Sequence, residues 1–108
     1  MYFLVLGSDH AGKGKVRAET RANHRIYLRS PGGHRVKVHL GGPTMTVDGL
    51  EMNGTLLVVE AEDISAVADF VADDPYSRAG LFKSVEIRPW SWSLGAPGGI
   101  PHDLAAAS

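Results

Sequence analysis

The chain of 108 residues is 44% hydrophobic and 21% charged and has a formal net charge of −1. These values are typical of one soluble globular domain. The near-neutral charge argues against a nucleic-acid partner or a polybasic membrane contact. The sequence contains no cysteine, which excludes disulfides, thiolate metal sites and cysteine nucleophiles and fits a reducing cytoplasm.

Residues 2–6 are apolar without alternation, which is typical of a strand that is covered on both faces. The run has no basic segment before it and no small-residue cleavage site after it, so it predicts a strand rather than a signal peptide. No apolar run approaches the roughly 20 residues that a membrane helix needs. We therefore expect a cytoplasmic protein with no membrane partner.

A helix and a second strand are expected next. Thr20 can cap a helix over residues 21–29, although the helix could begin as early as Lys15, and Pro-Gly-Gly at 31–33 ends it. The sequence RVKVHL at 35–40 alternates strictly between polar and apolar residues. This alternation predicts a strand with Val36, Val38 and Leu40 on one face.

The second half of the chain predicts a strand at 53–61, a helix at 63–72 and a strand at 84–88. The helix would bury one stripe formed by Ile64, Val67, Ala68 and Val71. With right-handed crossovers, the order βαββαβ predicts a ferredoxin-like α+β fold with an antiparallel sheet of strand order 4-1-3-2. Its central strands are apolar on both faces and the helices cover only one, so we expect a homodimer packed sheet to sheet, a dimeric α+β barrel.

Two patterns suggest a ligand but do not hold up. The sequence GSDHAGKG at 7–14 nearly fits the phosphate-binding motif G-x-x-x-x-G-K-[ST], but Gly14 stands where a hydroxyl should hold magnesium. The histidines at 10, 24, 34, 39 and 102 form neither H-x-H nor H-x-x-x-H, which favours solvated surface histidines over a metal site. We expect a plain β-to-α loop and no metal or cofactor.

His24 is the strongest catalytic candidate. It falls in the first turn of the proposed helix, with Arg21 three residues earlier on the same face. A helix N-terminus and a nearby arginine both disfavour imidazolium and leave a neutral ring that can accept a proton. Asp9, at the end of the first strand, could fix the tautomer of that ring. His24 would then act as a general acid or base; the alternative is a structural or solvated histidine.

The sequence ADDPYSRAGLF at 72–82 separates the second helix from the last strand. Asp73 and Asp74 end the helix, and Pro75 prevents its continuation. Residues 76–79 form one turn, and Gly80 reverses the chain. Chain topology alone accounts for this stretch.

Several segments together resemble the YciI-related family: RANH with Asp9 upstream, GGP at 41–43, NGTLLVVEAED from Asn53, and DPYSRAGLF with VEIRPW after it. The resemblance covers residues 1 to about 92, and the D-P-Y-x-x-A-G motif is its most specific part. It implies a ferredoxin-like dimer with a histidine/aspartate active centre, which maps onto His24 and Asp9. At least one member is a dehydrochlorinase acting on a hydroxylated aromatic. The resemblance also implies that the turn at Asp74 and Tyr76 borders the active site.

The resulting hypothesis is a cofactor-independent lyase or isomerase that acts on a small oxygenated, aromatic-derived metabolite in a catabolic pathway. Its catalytic residues are His24 and Asp9, with Asp48 or Asp74 as alternatives to Asp9. Arg21 would hold an anionic group, and the other expected substrate-binding residues are Pro43, Asn53, Asp74 and Tyr76. The alternatives are a non-catalytic dimeric small-molecule-binding or accessory protein and, by fold analogy alone, an oxygenase.

Two segments depart from the family pattern. The segment of residues 44–52 is shorter than the family pattern, which predicts a different lid over the site. Residues 93–108 extend beyond the last shared motif and form a Pro/Gly-rich arm attached to a domain of residues 1–92. Trp90 and Trp92 are the expected anchors of this arm.

Overall fold

The computed structural model describes residues 1–98. Its elements are β1 (Tyr2–Asp9), α1 (Gly14–Arg29), β2 (Lys37–Met45), β3 (Met52–Glu60), α2 (Ile64–Asp73), α3 (Pro75–Arg78) and β4 (Phe82–Trp90). The four strands form one antiparallel sheet in the order β2-β3-β1-β4. The predicted ferredoxin-like α+β fold and strand order are confirmed.

The main core lies between the sheet and the helices α1 and α2. It consists of one face of β1 and β3, the apolar stripe of α2 and parts of the neighbouring segments: Phe3, Val5, Val36, Leu57, Val59, Ala61, Val67, Phe70 and Val71. Each large apolar side chain that is fully buried here contributes roughly 1.5–3 kcal/mol relative to exposure. None of the helices within residues 1–98 is both long enough and apolar enough to cross a membrane.

The opposite face of the sheet is only partly covered. Tyr2 and Leu4 alternate with the core residues of β1 and pack, half-buried, against a small cluster of Val58, Trp92 and Ala96. The chain after β4 therefore turns back over this face, with Trp92 buried as predicted and Trp90 39% exposed. Residues 99–108 of the predicted arm lie outside the described residues.

The helix boundaries differ from the prediction in one respect that matters for the site. The helix α1 begins at Gly14, so Thr20 lies inside it and His24 lies well past its first turn. In α2 the buried residues are Val67, Phe70 and Val71, whereas Ile64 and Ala68 of the predicted stripe are both exposed. The buried face is therefore centred on Val67, Phe70 and Val71, which are spaced i, i+3 and i+4.

The second strand also differs. It runs from Lys37 to Met45 and includes the Gly-Gly-Pro sequence, which had been expected after the strand. Its register to β3 shifts between Val38 and Leu40, where a bulge adds one residue to the edge strand. Leu40 is therefore 45% exposed and does not share a face with Val38.

Candidate functional site

The helix α1 is unusual because its two buried residues are polar. Arg17 is 4% exposed and His24 is 6% exposed. A buried charge or imidazole is tolerated only where hydrogen-bonding partners replace water. These two side chains therefore mark the point where the helix packs through a polar network rather than through apolar contacts.

Arg17 is held by two neighbouring strands. Its Nε donates to Oδ2 of Asp9 at 2.8 Å, and its Nη2 donates to Oδ1 of Asp9 at 3.0 Å and to Oγ1 of Thr55 at 2.8 Å. Burial lowers the pKa of the Arg17 guanidinium, but the hydrogen bonds and charge of Asp9, with a smaller contribution from Tyr76, outweigh burial and raise that pKa. The result is a rigid bidentate ion pair.

His24 is held by Asp74. The Nδ1 atom of His24 lies 2.9 Å from Oδ1 and 3.0 Å from Oδ2 of Asp74, and both side chains are buried. A carboxylate at Nδ1 fixes the tautomer in which Nδ1 carries the proton and Nε2 carries the lone pair. The Nε2 atom makes no hydrogen bond within residues 1–98.

The sequence Asp74-Pro75-Tyr76 creates this contact locally. The proline disfavours helical backbone in the residue before it, and Asp74 accordingly has φ −58° and ψ 133°. Asp74 then caps α3 by accepting the Tyr76 N–H at 2.9 Å, with Pro75 at the first position of this short helix. Asp74 thus ends one helix through its backbone, and its carboxylate caps the next helix and orients His24.

Tyr76 connects the two polar groups of α1. Its buried ring stacks on the His24 ring with centroids 4.0 Å apart, and Cζ of Arg17 lies 4.7 Å from the centroid of the Tyr76 ring. An arginine over an aromatic ring is attracted to the negative face of that ring. The contacts form a continuous series from Asp9 through Arg17, Tyr76 and His24 to Asp74.

A cavity of about 160 Å³ lies beside His24. One wall is the α1 face with Arg17, Arg21, His24, Arg25 and Leu28, and the others are Tyr76 and residues of β2 and β3: Gly41, Gly42, Pro43, Met52 and Thr55. A dry cavity of about 150 Å³ in another protein accommodates benzene. The volume therefore suits a single six-membered ring with small substituents.

The predicted site residues fall into three groups. Arg21, His24, Pro43 and Tyr76 line the cavity. Asp74 lies behind His24, where it orients the ring rather than contacting the cavity. Asn53 lines a neighbouring, larger cavity and accepts a hydrogen bond from Thr44 through its Oδ1 atom.

The expected contact between Asp9 and His24 is corrected by the structure. Both carboxylate oxygens of Asp9 bind Arg17, and the carboxylate on His24 is that of Asp74. A helix that starts at residue 21 would have His24 in its first turn, close to the end of β1. Because α1 begins at Gly14, the residue that faces Asp9 is Arg17, nearly two turns earlier than His24.

Arg17, Arg25 and Thr55 were not predicted. The arginines at positions 17, 21 and 25 are four residues apart, which places them along one side of a helix. This spacing was readable from the sequence, but only with a helix that begins near Lys15. No comparable signal identifies Thr55, which sits in an apolar strand and reaches Arg17 only through the tertiary fold.

His34 and His39 lie away from this cavity and each pairs with an acid. Nε2 of His34 is 2.7 Å from Oδ2 of Asp73, and Nε2 of His39 is 2.8 Å from Oε1 of Glu60. Across the described residues, no three histidine, aspartate or glutamate side chains come together in a way that could hold a metal ion.

Comparisons with known proteins identify the family of the chain. Residues 1–91 match the YCII-related domain. An uncharacterized protein from Haemophilus influenzae is 23% identical over 95 residues, covering 83% of this chain and 96% of its own.

Among solved structures, 5-chloro-2-hydroxyhydroquinone dehydrochlorinase (TftG) from Burkholderia phenoliruptrix AC1100, in complex with 2,5-dihydroxybenzoquinone, superimposes with a TM-score of 0.70. It is 35% identical to this chain, and the match covers 83% of this chain and 93% of TftG. An uncharacterized NIPSNAP domain protein from Burkholderia xenovorans has a TM-score of 0.50 at 14% identity, covering 89% of this chain and 97% of its own, and shares the fold alone.

Proposed function

The chain belongs to the YCII-related domain family, and on that premise we propose that it is a cofactor-independent enzyme of the lyase or isomerase type. Its substrate would be a small oxygenated ring compound, and His24 would transfer the proton. The observation that carries this proposal is the state of the His24 ring. Nδ1 is occupied by Asp74, while Nε2 has no protein partner within residues 1–98 and the ring lines a cavity of single-ring size.

The proposed step begins with a ring hydroxyl beside Nε2. Nε2 takes the proton, and the electron pair of the O–H bond stays on oxygen and forms a carbonyl. The displaced ring π pair takes that proton from Nε2–H at a ring carbon, which restores the neutral imidazole. Where that carbon carries a halogen, a second hydroxyl loses its proton to solvent, the electron pair of that O–H bond forms a second carbonyl, and the ring π pair that it displaces forms a new C=C bond as the halide leaves with the electron pair of its own bond. Asp74 would stabilise the imidazolium that forms in the first step.

Two observations support a ring substrate of this class. The TftG structure, with which this chain shares 35% identity, is that of a 5-chloro-2-hydroxyhydroquinone dehydrochlorinase in complex with 2,5-dihydroxybenzoquinone. The cavity volume also fits one substituted ring. A hydroxyquinol has the acidic O–H that a single histidine base can ionise, because general base catalysis contributes only roughly 10²–10⁴-fold.

The test is chloride release from 5-chloro-2-hydroxyhydroquinone by the wild type, His24→Gln and His34→Gln. We expect turnover to fall roughly 10²–10⁴-fold in His24→Gln, because the base is lost. His34→Gln should keep full turnover, since His34 binds Asp73 away from the cavity. Full turnover by His24→Gln would refute the proposed role of His24. No turnover by the wild type would refute this substrate.

We also propose that the chain forms a homodimer through the open face of its sheet. Leu4 and Leu40 lie on this face and stay partly exposed, although Trp92 covers part of it. A second copy would bury them. Sedimentation equilibrium of the wild type and of Leu4→Glu tests this, and a monomeric wild type would contradict it.

A further inference from the structure

The cavity wall carries more positive charge than its surroundings neutralise. Arg17, Arg21 and Arg25 all line the cavity from α1. The charge of Arg17 is compensated by Asp9. Arg21 donates to the sulfur of Met52 at 3.0 Å, which is a weak and uncharged acceptor. Arg25 forms no ion pair or hydrogen bond within residues 1–98.

The cavity offers no negative charge to balance Arg21 and Arg25. Among the described residues that line it, none is an aspartate or a glutamate. Arg21, half-buried, and Arg25, exposed, are one helical turn apart and line the same small volume beside His24. Their mutual repulsion is relieved when an anion enters, and each planar guanidinium can donate two hydrogen bonds to oxygen atoms.

We propose that the cavity selects the ionised form of a ring compound, and that Arg21 and Arg25 determine this selectivity. This inference rests on the proposed function and names its substrate class: a single oxygenated ring that has a second, ionisable oxygen apart from the hydroxyl that meets His24 and that is bound with this second oxygen ionised. The two arginines would hold this anionic oxygen throughout the step in which the other oxygen loses its proton to Nε2 and becomes negative. Arg25 is thereby a specificity-determining residue.

The experiment measures binding, which is independent of turnover. The dissociation constants of 2,5-dihydroxybenzoquinone, a vinylogous diacid that is anionic at neutral pH, and hydroquinone, a neutral ring of similar size, are determined by calorimetry. The proteins are the wild type, Arg21→Gln, Arg25→Gln and Arg29→Gln. Arg29 is the matched control because it is exposed, lies on the same helix and does not line the cavity.

The expected result is a wild type that prefers the anion. Arg21→Gln and Arg25→Gln should each weaken binding of the anion roughly tenfold or more, because each removes a charged hydrogen bond, and should change hydroquinone binding less than about threefold. Arg29→Gln should bind both rings like the wild type. Arg25→Lys, which keeps the charge without the planar fork, should retain most of the preference.

Three results would overturn the inference. The wild type could bind both ring compounds equally or bind neither. Arg25→Gln could lose the same affinity for both compounds, or Arg29→Gln could lose as much affinity for the anion as Arg25→Gln does. Thermal unfolding of each variant identifies a folding defect. If Arg25→Gln has one, the relative affinity of Arg25→Lys for the two ring compounds decides instead. An anion preference that depends on Arg25 while His24→Gln keeps full turnover would leave this inference standing and refute the proposed function.

Discussion

Two adjacent aspartates each pair with a histidine. The two pairs have similar hydrogen-bond lengths but differ in burial and in surroundings. Oδ2 of Asp73 lies 2.7 Å from Nε2 of His34, and Oδ1 of Asp74 lies 2.9 Å from Nδ1 of His24. The side chains of the first pair are 20% and 44% exposed for His34 and Asp73, whereas those of the second pair are 7% and 4% exposed for His24 and Asp74. Hydrogen-bond length alone therefore does not identify a proton-transfer pair.

The difference comes from the backbone between the two carboxylates. Asp73 is the last residue of α2 and shares its carboxylate between His34 and Arg78. Asp74 is extended because Pro75 follows it, and its side chain turns inward to His24. Of these two histidines, His24 lines the cavity of about 160 Å³ and stacks on Tyr76, whereas His34 does not line that cavity.

The largest expected effect separates the two aspartates by activity. Asp74→Asn should lower turnover on a chlorinated hydroxyquinol roughly 10²–10⁴-fold, because an amide at Nδ1 no longer enforces the tautomer with a lone pair on Nε2. Asp73→Asn should stay within about twofold of the wild type, since His34 takes no part in the cavity. Steady-state chloride release is the readout.

A structural readout accompanies this measurement. The ring ¹⁵N chemical shifts of His24 report which nitrogen carries the proton, and we expect Nδ1–H in the wild type and a change of tautomer in Asp74→Asn. Loss of activity without a change of tautomer would mean that Asp74 acts only by capping α3. Equal losses of activity in the two aspartate variants would remove the distinction between the pairs.

The second prediction applies the same contrast to arginine. Asp9→Asn should destabilise the protein by about 3 kcal/mol, because it leaves Arg17 buried without a counter-charge. The pair of Asp73 and Arg78 is exposed, so Asp73→Asn should change the free energy of unfolding very little. Urea unfolding measures both. Equal stabilities of the two variants would show that Arg17 relaxes into water when Asp9 is neutralised.

Most of the fold followed from hydrophobic periodicity. Doubly apolar runs correctly predicted the central strands β1 and β3, and alternation correctly predicted the edge strands. The bulge at Val38–Leu40 could not be predicted, because strict alternation in the sequence carries no mark of an added residue. For α1, the alternative start near Lys15 agrees with the observed start at Gly14, and the start at residue 21 with Thr20 as its cap was wrong. The earlier start carries little signal, because Lys13 and Gly14 offer no capping side chain.

The site was predicted in part. His24, Arg21, Pro43 and Tyr76, which were expected at the site, line one cavity, and the Asp-Pro-Tyr turn borders it; their roles toward a substrate stay a prediction. The basic partner of each aspartate was not predicted correctly, because it depends on which turn of α1 faces which loop. The predicted helix start at residue 21 is seven residues later than the observed start at Gly14. Arg17 therefore occupies the first-turn position that was expected for His24. Sequence reasoning thus found the participants but not their contacts.

The third prediction concerns Tyr27, which lies between the two aspartate pairs. Its hydroxyl donates to the Phe70 carbonyl at 2.6 Å, and burial, followed by the charges of Asp73 and Asp74, raises the pKa of Tyr27 to about 12. A raised pKa gives a stabilising contribution that is complete below the unfolded value of 10.0 and lost as pH rises from 10.0 to about 12.

Tyr27→Phe should therefore lose about 1 kcal/mol of stability at neutral pH, the value of one hydrogen bond. It should also lack the part of the alkaline decline that Tyr27 causes in the wild type. Tyr2→Phe is the control, because Tyr2 packs on the open face with no hydrogen bond to its hydroxyl within residues 1–98. Parallel alkaline curves for the wild type and Tyr27→Phe would contradict the assignment.

The smallest expected effect is the acid dependence of the exposed pair. Hydrogen bonds from His34, followed by Arg78, lower the pKa of Asp73 below its ordinary value of 3.8. A lowered pKa gives a stabilising contribution that is present above 3.8 and lost as pH falls through the folded value. Asp73→Asn should therefore flatten the stability curve slightly below pH 3.8. Unfolding of the wild type and of this variant at a series of acid pH values measures the effect, and parallel curves would contradict it. Solvent and salt screen the exposed pair of Asp73 and His34, so 1 M salt should reduce this effect on stability further. The buried pair of Asp74 and His24 is screened far less, so the activity difference between Asp74→Asn and Asp73→Asn should persist in 1 M salt.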